Sequence, residues 1–338
     1  MNKRIGIQTV KMGEPVNIMA TASVAGQKEA QGPLSEHFDI IMENAEWGED
    51  SWEKAESKMQ KSAVIRAVEK AGIDLKDINY LFAGDLLNQC ISSTFGLMDF
   101  DIPFLGVYGA CSTMAETFGL SAMAIDGGFA DYAAAVTSSH FCTAERQYRN
   151  PLEYGGQRTP TAQWTVTGSG AAVLSKRGDG PYVTHFTSGK IVDFGVKDAN
   201  NMGAAMAPAA ADTLVAHFND TGRSPEFYDL ILSGDLGLVG KAALIDLMYE
   251  KGFQISKNYE DCGCIIFDIE KQDMHAGGSG CGCLGATLCG YIMDLIRAGE
   301  VKNLLFMGTG ALLSPTSTLQ GGTIPSVAHA VAISAEKE

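Results

Sequence analysis

The chain has 338 residues, 46% of them apolar and 19% charged, enough to bury a sizeable core and too apolar for a disordered polymer. Lys and Arg number 25 against 40 Asp and Glu, a net charge of −15 that repels phosphate backbones and argues against nucleic acid as a partner. Eight cysteines, several in apolar or glycine-rich stretches, read as reduced, intracellular thiols. Lys3 and Arg4 are basic, but Gly6, Gln8, Lys11 and Glu14 break the apolar run that an export signal needs.

The first strong signal in chain order is a helix over 51–71. Asp50, three residues before Glu53, reads as a capping box, and Trp52, Ala55, Met59, Ala63 and Ala67 recur at helical spacing. Gly72 ends it. An apolar strand at 78–83 runs into Gly84, Asp85 and Leu86. A second, at 104–108, turns through Gly109 and Ala110 into an apolar helix that begins at Cys111 and ends near Gly127. After a strand at 131–138, the segment 141–163 is rich in turn residues and longer than an ordinary connection, so it reads as functional or interface-forming.

The same order then returns: a helix to Thr221, Gly222, a strand at 229–233, and Gly234, Asp235, Leu236. Both glycines and both triplets share one offset, 222 − 72 = 234 − 84 = 150. A helix opening at 280–283 and a strand at 302–307 match the Cys111 helix and its strand at an offset of 171 (302 − 131). Two copies of a helix-and-strand unit imply a duplicated α/β domain with halves 1–176 and 177–338, and a site where they meet. The stretch 274–293 carries no charge and approaches the length of a membrane span, but six glycines and His275 argue against one. Any membrane association is then expected to be peripheral, through a partner protein.

Several residues suit chemistry. Cys111 opens a helix after a sharp turn, where the helix dipole and unpaired amides favour thiolate and could stabilise an anion; a small packed cysteine is the alternative. Asp85 and Asp235 end equivalent strands, each able to act as a base, hydrogen-bond a ligand or cap a helix. Ser139 and His140 end the strand after the Cys111 helix, and Arg146 and Arg149 follow closely. Arginines on such a loop suit a carboxylate ligand, or form ion pairs at a subunit interface with Glu145 and Glu153. Cys262 with Cys264 and Cys281 with Cys283 are spaced one residue tighter than zinc pairs usually are. The glycine-rich segments lack a Walker lysine and a dinucleotide fingerprint.

The duplicated halves, the turn Gly109, Ala110, Cys111, Ser112, and the run 308–313 (GTGALL) resemble the thiolase and ketoacyl synthase superfamily. The runs 84–89 (GDLLNQ), 137–147 (TSSHFCTAERQ), 153–157 (EYGGQ), 205–212 (AMAPAAAD) and 276–281 (AGGSGC) more closely resemble the stage V sporulation protein AD family of spore-forming bacteria. The first resemblance implies a five-layer αβαβα fold, a homodimer, and Cys111 at the nucleophile position. Condensing enzymes also use a histidine and a second histidine or asparagine from the second half. The first would fall within 232–235, which offers no histidine; the second would fall at Met274, with His275 one residue out of register. The second cysteine of degradative thiolases is absent too. The second resemblance implies binding of dipicolinate (pyridine-2,6-dicarboxylate), alone or with calcium, and its uptake into the developing spore. Membrane-embedded proteins of the same operon would be the partners, at the spore's inner membrane, with no cofactor. The expectation is a ligand-binding protein using Cys111, Asp85, Ser139, His140, Arg146, Arg149 and Asp235; the alternative is an acyltransferase with Cys111 as nucleophile.

Overall fold

A computed structural model describes residues 3–148 and 158–337. Ten strands carry the architecture: β1 Thr9–Ala25, β2 Tyr80–Gly84, β3 Phe104–Gly106, β4 Tyr132–Ser139, β5 Gly168–Ser175, β6 Tyr182–Thr187, β7 Leu230–Ser233, β8 Tyr259–Asp261, β9 Asn303–Ala311 and β10 Ser326–Ser334. Their hydrogen-bonded order is β8-β7-β9-β10-β6-β1-β5-β4-β2-β3. Counted within each half, both run third, second, fourth, fifth, first. The first strands, β1 and β6, pair antiparallel and join the halves along a seam. The duplication written in the glycine offsets is therefore a duplication of topology, and the fold is the mixed α/β, thiolase-like arrangement.

Helices fill the layers. Helix α1, Trp52–Ala71, with the short α2, Ile91–Leu97, packed against it, covers the outer face of the first half-sheet, and α5, Met202–Thr221, covers the second. Both span 20 residues, and both end at a left-handed glycine, Gly72 (φ 68°) and Gly222 (φ 68°), a conformation glycine adopts without steric cost. Between the half-sheets lie α3, Thr113–Asp126, and a helix that begins at Cys281–Thr287 and continues through one π turn to Arg297. Three apolar clusters follow: one under each outer helix layer and a central one around Phe118, Leu284 and Phe306. The uncharged stretch 274–293 belongs to this central layer, and Met274, Leu288 and Ile292 are buried in its core. Among the described residues no helix is long and apolar enough to cross a membrane.

Two local expectations change. Ser51, not Asp50, caps α1: its Oγ accepts from Lys54 N at 3.3 Å, while Asp50 pairs with the Lys54 ammonium. The stretch 141–163 is not all loop, because α4 occupies Phe141–Tyr148. Its apolar side packs inward, with Ala144 buried beside Leu86.

Candidate functional site

The site is built where β3 turns into α3. Gly109 O accepts from both the amide and the hydroxyl of Ser112, and Ala110 is held at φ 52°, a strained value for a residue with a Cβ. This turn sets Cys111 at the junction of the two halves. Strand β9 approaches so closely that a Cβ on Gly310 would lie 2.3 Å from Gly109 O, which gives the glycines of the 308–313 run their physical reason.

Cys111 is buried, packed with Leu86, Ala144 and Cys281. Behind it stands Asp235, in the turn after β7, fully buried and in hydrogen-bond contact with the thiol. Thr309 Oγ1 donates to Asp235 Oδ1 at 2.6 Å, and Asp235 Oδ2 accepts no conventional hydrogen bond. Burial, opposed by the Thr309 and Cys111 contacts, pushes the Asp235 carboxyl up to about 7. Burial and the neighbouring Asp235 together push the Cys111 thiol well above its ordinary range. The thiolate expected from the helix end is thus not favoured: desolvation and a facing carboxyl outweigh the helix dipole.

The freedom of Asp235 has a definite cause. Asp261, at the end of β8, accepts from the amides of Leu236 and Gly237 at 2.9 Å each, from Gly263 N at 3.0 Å and from Ser233 Oγ at 2.5 Å. It caps the turn that Asp235 would otherwise cap itself.

A cavity of about 260 Å³ opens in front of Cys111. Its walls are mainly apolar, with Leu86, Ala144, Met202 and Ala311 among them, and its polar groups come from Tyr108, Glu145, Tyr148, Thr165, Asn200 and Ser279. Thr165 and Ser279 are neighbours because the short segments Trp164–Thr165 and Gly278–Ser279 pair in parallel. Tyr148 OH donates to Leu86 O, tying α4 to the opposite wall. Among the described residues, no Lys, Arg or His lines the cavity.

Of the residues singled out in the sequence, the fold brings Cys111 and Asp235 together and takes most of the others elsewhere. Asp85 is buried but faces away from the cavity, accepting from Leu87 N at 2.9 Å and from Ser93 N and Oγ at 2.8 and 2.6 Å. It is a structural cap. Ser139 Oγ donates to Val166 O at 2.7 Å and accepts from Gly282 N at 3.1 Å. His140 Nδ1 accepts from Cys142 N, so Nε2 carries the proton donated to Ala45 O; burial lowers its pKa and keeps it neutral. Arg146 is ion-paired with Glu53 and lies over the Trp52 ring at 5.4 Å, on a different depression of the surface. Arg149 lies outside the described residues. Met274 is core, and His275 bonds Thr159 O and Asp273 on the surface. His329 pairs with Glu116 at 2.8 Å. Among the described residues no three His, Cys, Asp or Glu side chains converge as a metal site.

Sequence reasoning missed Asp261, Thr309, Ser279, Asn200 and the two tyrosines as site components. Asp261 was within reach: it ends the strand equivalent to the one that ends at Gly106, opposite the matched positions Ala83 and Ser233.

Two half-sheets of one strand order, with a cysteine on a strained strand-to-helix turn between them, define the thiolase and ketosynthase class of fold. Solved structures of that class superpose accordingly. 3-Oxoacyl-[acyl-carrier-protein] synthase III from Aquifex aeolicus matches with a TM-score of 0.60 at 11% identity, over 94% of this chain and 99% of that one. OleA from Xanthomonas campestris, bound to acetamide, matches with a TM-score of 0.61 at 14% identity, over 95% and 99%. At such identities the likeness shows the fold alone. The chain belongs to the stage V sporulation protein AD (SpoVAD) family, whose pattern it matches over residues 6–334. It is 44% identical over 329 residues to stage V sporulation protein AD of Bacillus subtilis (strain 168), covering 97% of each chain.

Proposed function

We propose that this sporulation protein is a receptor for dipicolinate, alone or as its calcium chelate, that binds the ligand without transforming it. It serves uptake into the developing spore, associating peripherally with membrane-embedded proteins of its operon at the inner membrane. The observation that carries this reading is the carboxyl group of Asp235 against Cys111, at a position where catalysis of acyl transfer needs a proton-shuttling imidazole. A thiol held protonated beside a carboxyl is a poor nucleophile and a serviceable hydrogen-bond donor. The cavity volume of about 260 Å³ falls just under the ~300 Å³ floor of ordinary ligand pockets, a size suited to a single-ring molecule.

Calorimetry with dipicolinate tests the reading. The wild type should bind, and Cys111→Ala should bind about ten- to a hundredfold more weakly, the effect of losing a hydrogen bond to a charged partner. Arg146→Ala should change affinity less than about twofold, because its guanidinium is committed to an exposed ion pair. No binding by the wild type, or undiminished binding by Cys111→Ala, would defeat the site. The acyltransferase alternative draws on the strained turn at Ala110 and on a carboxyl near neutrality beside the thiol. It requires a covalent mass increase on Cys111 with acyl-CoA, lost in Cys111→Ser.

A homodimer is proposed through β3, the terminal strand of the sheet. Among the described residues no strand pairs its outer backbone edge, Phe104 and Leu105 are exposed, and Phe95 and Met98 are exposed apolar residues nearby in the chain, a combination that invites edge-to-edge pairing. Sedimentation should show a dimer for the wild type and a monomer for Leu105→Asp; an unchanged mass for the variant would exclude this edge.

A further inference from the structure

The cavity poses an electrostatic problem for a carboxylate ligand. Among the described residues no cation lines it, Glu145 lines it, and Asp235 stands directly behind the Cys111 thiol that faces it. The local amides of the Asp235 turn are taken by Asp261, and Gln163 Nε2 donates to Asp235 O and Gly278 O. Tyr108, Tyr148, Thr165, Asn200 and Ser279 bring further donors to the cavity walls, but the Cys111 S–H is the donor coupled to Asp235, and it has two competing acceptors, that carboxyl and the ligand. When Asp235 is ionised, the S–H points back to it. When Asp235 is protonated, its O–H can donate to Sγ, and the S–H is released toward the cavity.

We infer that a carboxylate ligand binds with uptake of one proton at Asp235 Oδ2, which turns the Cys111 S–H outward to meet the ligand. Asp235 is then a positioning residue that acts through Cys111, and the inference rests on the dipicolinate reading above. The proton comes from solvent and returns there on release, so no bond beyond O–H changes. Asp235 Oδ2 is already the vacant acceptor of the site, and a second carboxylate nearby further disfavours its ionised form.

The groups around Asp235 act in both directions: burial and the Asp261 charge raise its carboxyl, while the Thr309, Cys111 and Gly280 contacts lower it, and burial prevails. From the turn before α3 comes the Cys111 thiol; from the helix that starts at Cys281 come Cys281 and Cys283; from the turn after β8 comes Cys262. Burial holds all four thiols protonated. From β9 comes the neutral Thr309 hydroxyl, and from the loops come Gln163 and the Gly280 amide. Asp261, at the end of β8, is the facing carboxyl: burial raises its pKa, the Ser233 hydroxyl and three amide donors oppose that rise, and its charged form raises Asp235 further. Burial brings Asp235 up to about 7, so taking up the proton costs little near neutral pH.

Isothermal titration of the full chain with dipicolinate, in phosphate and in Tris at pH 6, 7 and 8, measures the proton directly. The wild type should take up close to one proton at pH 8 and almost none at pH 6, with affinity falling about tenfold per pH unit above 7. Asp235→Asn cannot ionise, so its profile should be flat and its affinity at pH 8 should exceed that of the wild type. If that variant does not fold, Thr309→Val serves: losing the hydroxyl donor should move the wild-type midpoint to higher pH. Binding with no buffer-dependent enthalpy and a flat profile in the wild type would overturn the inference and leave the receptor reading standing. No binding at any of the three pH values would instead overturn the receptor reading.

Discussion

The turns after β2 and after β7 carry the same triplet, Gly-Asp-Leu, at equivalent ends of equivalent strands, yet their aspartates do different work. Asp85 spends both oxygens on its own surroundings, Leu87 N and Ser93. Asp235 leaves its turn amides to another residue and reaches Thr309 and Cys111. The neighbouring strand decides this. Gly106 ends β3 and has no side chain to offer, whereas Asp261, at the matching register of β8, takes the amides of Leu236 and Gly237. One carboxylate supplied across the sheet thus frees another for the cavity, turning a repeated structural cap into a functional group on one side of the molecule only.

Removing the device should have the largest effect. Asp261→Ala orphans three amides in a buried turn and should destabilise the protein by roughly 3–5 kcal/mol in urea titration, with the pH dependence of dipicolinate binding lost as Asp235 turns to cap. Asp85→Ala should cost less, about 1–3 kcal/mol, and should leave the pH profile of ligand binding where it was. Equal losses, or a shifted profile in Asp85→Ala, would mean that the two turns are not partitioned in this way.

The next effect concerns a second buried carboxyl on the Asp85 side. Glu56 accepts from Ser138 Oγ at 3.0 Å and Thr143 Oγ1 at 2.7 Å, and burial with the nearby Asp85 pushes it up to about 8. The unfolded chain ionises this glutamate near its ordinary value while the folded protein keeps it protonated. Stability therefore falls as pH rises from the ordinary glutamate range to about 8, and then levels. Between pH 6 and 7 this group should contribute a loss of about 1.4 kcal/mol per pH unit, and Glu56→Gln should remove that contribution. An unaltered slope in the variant would show that Glu56 is ionised in the folded state.

The smallest effect tests the symmetry itself. Ser51 and Asn201 cap α1 and α5 at positions 150 apart (201 − 51), each accepting an amide at 3.3 Å. Ser51→Ala and Asn201→Ala should each cost about 1 kcal/mol in thermal or chemical unfolding. A cap worth nothing in one half would mark where the duplication has lost its energetic equivalence.

The repeated strand order was legible because its signals are local: left-handed glycines after α1 and α5, apolar strand runs, and turn triplets at fixed spacing. Cys111 was legible for the same reason, as a strand-to-helix turn. The partner of that cysteine was visible only as one of two equal candidates, since the choice between Asp85 and Asp235 depends on Gly106 and Asp261, residues supplied by neighbouring strands. Helix α4 was hidden by its polar surface and the turn residues after it, which left Ala144, Glu145 and Tyr148 out of the expected site. Ser139 and His140 were expected to bind ligand at a strand end, but the packing of the helix from Cys281 and of the Ala45 loop closes over them.

The central claim is that Asp235 and Cys111 together form the floor of a receptor. A crystal structure with dipicolinate bound tests it most directly. The account predicts the ring in the cavity between Ala144 and Ala311, one carboxylate within hydrogen-bond distance of an unmodified Cys111 Sγ, and Asp235 Oδ2 turned to the sulfur. Ligand density at another place on the protein, or an acyl group covalently attached to Cys111, would contradict it.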